Sequence, residues 1–83
     1  MTTFEQEALI NRAITAHFRH AKRSGTLVEI PDRKRCEVLE VDDKWYCTLR
    51  NNSGVIACYR VCRVCDIWVL KLLPHRWPAE IGA

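Results

Sequence analysis

Several things are scarce in this sequence, and each shortage excludes something. Glycine occurs only three times in 83 residues, at positions 25, 54 and 82. Glycines that far apart build no phosphate-cradling loop, and no nucleophile motif accompanies them. The longest strongly apolar run, IWVLKLL at 67–73, is too short to span a bilayer and is interrupted by Lys71. The opening MTTFEQEAL is polar and acidic, without the basic and apolar regions of a secretory signal, so a cytoplasmic location with no membrane partner is expected. Neither sign of charge dominates: 13 Lys and Arg stand against 10 Asp and Glu, a net charge of +3. That balance permits an acidic partner without demanding one. No internal repeat, linker or low-complexity segment interrupts the chain.

The composition that remains, 48% hydrophobic and 28% charged, is that of a folded chain. Its length implies one small α+β domain with a modest core: residues 1–25 a helix, 26–73 an antiparallel sheet, 74–83 a C-terminal tail. Residues 3–23 have helical character throughout. Thr2 or Thr3, followed three residues later by Glu5 or Gln6, reads as a capping box, and Ser24-Gly25 supplies the stop. Ile10, Ala13, Ile14, His17 and Ala21 share one helical face, with Phe4, Leu9 and Phe18 broadening or flanking it.

After Gly25 the period changes from helical to alternating. TLVEI (26–30), CEVLEV (36–41), WYCTLR (45–50), VIACYRV (55–61) and IWVLKLL (67–73) read as short strands. Asp42-Asp43-Lys44, Asn51-Asn52-Ser53-Gly54 and the stretch 63–66 read as turns between them. The expected fold is one N-terminal amphipathic helix on an antiparallel meander of four or five strands, with an SH3-like half-barrel as a variant. A straight register through the second turn places Cys36, Val38, Cys47, Leu49, Ile56 and Cys58 on the apolar face. Leu39, Tyr46, Thr48, Ala57 and Tyr59 then lie on the other, with Tyr46 opposite Tyr59.

Three of the five cysteines fall in CYRVCRVC (58–65), spaced C-x3-C-x2-C. Zinc on Cys58, Cys62 and Cys65 would need a fourth ligand from Cys47 or His75 at no recognised spacing. An iron–sulfur cluster fares worse, because Cys58 and Cys62 on one straight strand stand about 13 Å apart. Small buried hydrophobes are the simpler account of Cys36, Cys47 and Cys58. Cys62 and Cys65 are loop thiols or, if exposed together, a redox pair. No cofactor is expected, and no catalytic residue. Asp42-Asp43 is a turn, and His17 borders the apolar helix face.

Two binding readings remain. One helix can cover only one face of a sheet, so Leu39, Tyr46, Tyr59 and Trp68 would form an exposed apolar patch. That patch suggests a non-enzymatic interaction module whose partner is another protein or a second copy of itself. The alternative is single-stranded nucleic acid. Arg19, Lys22 and Arg23 end the helix, Arg33, Lys34 and Arg35 form a basic loop, and Arg50 lies near the tyrosines. Cations for phosphates beside aromatic rings for bases would suit such a strand.

Overall fold

Thr2 opens the helix with both halves of a capping box. Its hydroxyl accepts the Glu5 backbone N–H at 3.1 Å, and the Glu5 carboxylate accepts the Thr2 backbone N–H at 3.4 Å. Helix α1 runs Thr3–Ser24 and ends at Gly25, whose φ of 64° is the left-handed cap anticipated there. The structure, a computed structural model, describes residues 1–25, 29–73, 77–79 and 81.

Four strands follow: β1 (Glu37–Val41), β2 (Lys44–Asn51), β3 (Gly54–Val64) and β4 (Ile67–Leu73). They form one antiparallel sheet in the order β1-β2-β3-β4, which among the described residues leaves β1 and β4 as edges. The chain is therefore an α+β meander, and its sheet is open rather than closed into a barrel. Of the fifth strand expected at 26–30, residues 26–28 lie outside the described residues, and Glu29 and Ile30 are not in a strand.

Two hairpins close through two-residue turns with positive φ at both positions: Asp42 (52°) and Asp43 (64°), then Cys65 (51°) and Asp66 (64°). That backbone matches the right-handed twist of the flanking strands. Strand β3 continues through Val64, so the third connection is shorter than the expected 63–66.

The middle hairpin departs from the straight register. Asn51 pairs with Gly54 and Arg50 with Val55, but Leu49 then pairs with Ala57. Ile56 is the extra residue, a β-bulge, and from there on every β3 side chain changes face. Cys47 consequently faces Tyr59, not Cys58, and Tyr46 faces Arg60, not Tyr59. The physical reason is Arg60. In a straight register it would point beneath the helix, whereas the bulge places Ala57, Tyr59 and Val61 there and turns Arg60 out.

The inner face, beneath α1, is built from Cys36, Cys47, Leu49, Ala57, Tyr59 and Val61, all buried against Leu9 and Ala13. Val38, Trp45, Trp68, Leu70 and Leu72 fill its margins. Leu9, at 1% exposure, lies at the centre of the helix contact rather than beside it, while Phe4 (80%) and Phe18 (40%) remain exposed. Burying Leu9 and Leu49 stabilises the fold by roughly 1.5–3 kcal/mol each.

The outer face has its own small core. Tyr46, Cys58 and Ile81 are buried together, with Leu39, Val41, Leu73 and Trp77 packed around them. Arg50 fastens this cover. Its guanidinium donates to the Ile81 carbonyl at 2.9 Å and to the Thr48 hydroxyl at 3.4 Å, and pairs with Glu37 at 3.4 Å.

Candidate functional site

The four residues expected to form one apolar patch are not brought together. Tyr46 and Leu39 lie on the outer face beneath Trp77 and Ile81. Tyr59 is on the inner face beneath the helix, at 4% exposure. Trp68 is also on the inner side, at the edge, and is held there by three groups. Its indole N–H donates to the Glu5 carboxylate at 2.8 Å, its carbonyl accepts Arg12 at 2.9 Å, and Arg63 stacks 4.8 Å from its ring. The Trp68 hydrogen bond, followed by those from Thr2, draws the Glu5 carboxyl below its ordinary pKa.

With Tyr46 and Tyr59 buried on opposite faces, the two do not form the expected aromatic platform. Arg50 is engaged in holding Ile81 and Glu37. The other cations are exposed. Arg19, Lys22 and Arg23 lie on the last turns of α1, and Arg33, Lys34 and Arg35 in the loop before β1. Arg33 reaches the Asn11 side chain, and Arg35 pairs with Asp32 at 3.3 Å. The loop therefore meets the helix at Asn11, about two to three turns before the Arg19, Lys22 and Arg23 cluster.

The cysteines of CYRVCRVC separate. Cys58 is fully buried in the outer core, Cys62 is half-buried farther along the same face, and Cys65 is exposed in a turn. Among the described residues, no three His, Cys, Asp or Glu side chains are grouped as metal ligands. His75 lies outside those residues. All five thiols are free, and burial raises the pKa of Cys47 to about 12 and of Cys58 to about 11.

Two surfaces emerge that the straight register hid. The first is the part of the outer face that the tail leaves bare. Val64 pairs with Ile67 and Cys62 with Val69, giving two neighbouring apolar rungs. Val64 is 56%, Ile67 62% and Val69 41% exposed. Asp66 lies at the tip beyond the first rung, its side chain 97% exposed and its carboxylate 3.9 Å from the Arg63 guanidinium. Arg60 and Lys71 form the rung on the other side, and the Arg60 Nε has no hydrogen-bond partner among the described residues.

The second surface is a groove of about 640 Å³ between α1 and edge strand β4. Arg12, Ala16, Arg19 and Arg23 form its helical wall, Thr15 and His20 widen it, and Val69 and Leu70 form its strand side. None of its three arginines is in an ion pair among the described residues. Arg12, Arg19 and Arg23 recur at i, i+7 and i+11, a periodicity already visible in the sequence. The meander read from the sequence already makes the last strand an edge; what the sequence could not supply was that this edge lies beside the arginine face of the helix.

No protein-family model, curated protein or solved structure matches the chain. Among the described residues, no helix is long and apolar enough to cross a membrane.

Proposed function

We propose that this chain is a small, non-enzymatic protein-interaction module that pairs with a second copy of itself through the bare part of its outer sheet face. The observation that carries this reading is the pair of apolar rungs Val64–Ile67 and Cys62–Val69 on one face, with Val64, Ile67 and Val69 exposed and Cys62 half-buried. Contiguous exposed apolar side chains on a sheet gain free energy when covered. The charges around the rungs point to self-association. Along the hairpin the order is Asp66, two apolar rungs, then Arg60 and Lys71. A two-fold axis through the strip lays the acidic tip of one copy over the basic rung of the other, giving an isologous contact. The strip is short, so the dimer is weak and depends on concentration.

Sedimentation velocity over a concentration series tests this. The wild type should shift from monomer toward dimer, and Ile67→Asp should stay monomeric with an unchanged circular dichroism spectrum. Asp66→Lys and Lys71→Glu should each weaken the dimer, and the double reversal should restore it. A wild type that stays monomeric throughout the series would overturn the proposal.

A further inference from the structure

The groove between α1 and β4 has a different character from the bare strip, and a different occupant suits it. Strand β4 is an edge, so alternate backbone groups point away from β3. The two-residue turn makes Val64–Ile67 the hydrogen-bonded closing pair, so at the next position the Trp68 N–H and C=O point outward, where the carbonyl accepts Arg12. Antiparallel pairing repeats every two residues, so the N–H and C=O groups of Leu70 and Leu72 also face outward. Beside this unpaired backbone runs the arginine wall of the helix.

We propose that the groove binds an extended acidic peptide, which adds to β4 as a fifth strand and places its carboxylates against Arg12, Arg19 and Arg23. The spacing supports this. Arg19 and Arg23 are about 6 Å apart along the helix axis, and Arg12 is about 10 Å farther back. Side chains on one face of an extended strand repeat every 6–7 Å or so, so acidic residues at alternate positions meet the Arg19–Arg23 pair. Backbone pairing to the edge supplies affinity and the arginines supply selection, as in other cases of strand addition. A second copy of β4 is disfavoured here, because two-fold edge pairing would bring two arginine walls together. Nucleic acid would use the charge but not the edge amides, and among the described residues the groove is lined by no Phe, Tyr or Trp, only the His20 ring. Val69 borders both the groove and the bare strip, so the tests rest on residues that belong to one surface alone: Arg19 and Arg23 for the groove, Ile67 for the strip.

The test uses the whole chain and a fluorescein-labelled peptide of alternating valine and glutamate, followed by anisotropy and by amide hydrogen exchange. The peptide should bind, and the Leu70 and Leu72 amides should exchange fast in the free protein and more slowly with the peptide bound. Replacing Arg19 and Arg23 with glutamate, both exposed and so harmless to folding, should weaken binding about tenfold. A peptide with proline at alternate valines keeps the charge but cannot form the ladder, and should not bind. Equal binding of the proline peptide would overturn strand addition. So would exchange at Leu70 and Leu72 that the peptide leaves unchanged, or that is already slow in the free protein. Tight binding of labelled oligothymidine, with none of the Val–Glu peptide, would replace the proposal with a nucleic-acid site.

Discussion

At the scale of single residues, the cysteines separate by what covers each sulfur. Cys47 is completely buried between sheet and helix, and burial, with Cys36 and Cys58 nearby, raises its thiol pKa from 9.0 to about 12. Cys58 rises to about 11 through burial beneath the tail, and Cys36 rises for the same reason. A thiolate is the reactive form, so the three are doubly protected, by access and by charge state. Native protein treated with a thiol reagent should therefore lose Cys65 first and Cys62 more slowly. Cys36, Cys47 and Cys58 should react only after denaturant is added. Rapid native labelling at Cys47 would mean that the helix does not seal the inner face. The same shifts set an alkaline limit. The folded thiols bind protons above the pH at which unfolded thiols release them, so stability falls as pH rises above about 9 and continues to fall through 11–12. Urea midpoints between pH 7.5 and pH 10.5 should show this decline, and replacing Cys47 with alanine should flatten it.

At the scale of elements, both ends of α1 follow from local chemistry, and so do the two tight hairpins. Thr2→Ala removes the hydroxyl acceptor of the capping box and should cost about 1 kcal/mol in denaturant unfolding. Asp43 holds φ at 64°, where glycine is unstrained, so Asp43→Gly should stabilise the chain by up to about 1 kcal/mol. In a domain of this size that raises the melting temperature by about 4–8 °C. The β1–β2 register was legible because two aspartates at a tip leave little choice: Val38 pairs with Cys47 as the alternation requires. The β2–β3 register was not, because the turn itself is as expected, with Asn51 against Gly54, and the irregularity comes two residues later at Ile56. The signal existed in Arg60, which a straight register would set on the apolar face. A charged residue out of phase with its strand marks a slip of one position. Missing that slip exchanged Cys58 for Tyr59 between faces and created an aromatic pair that does not form.

At the scale of the whole molecule, function turns on how the outer face is divided. The sequence shows that one helix leaves one sheet face over, and it favours Trp77 folding back onto the core over presenting it to a partner, but it does not show which part of the face the tail covers. Trp77 and Ile81 close over Tyr46 and Cys58, while Cys62, Val64, Ile67 and Val69 stay outside this cover. Ile81 is 1% exposed and held by Arg50 through its backbone carbonyl, so shortening its side chain removes packing without removing the hydrogen bond. Ile81→Ala should cost about 2–5 kcal/mol, a large share of what a small domain has. The loss should fall unevenly. Thiol labelling of Cys58, below the tail, should accelerate well before that of Cys47, which the helix covers on the opposite face. Equal acceleration at both would mean that the two faces unfold as one unit. Selective exposure of Cys58 would make the tail a cover that opens on its own and lengthens the apolar strip from two rungs toward the full width of the face. Ile81→Ala would then self-associate more strongly than the wild type in sedimentation, although it is less stable.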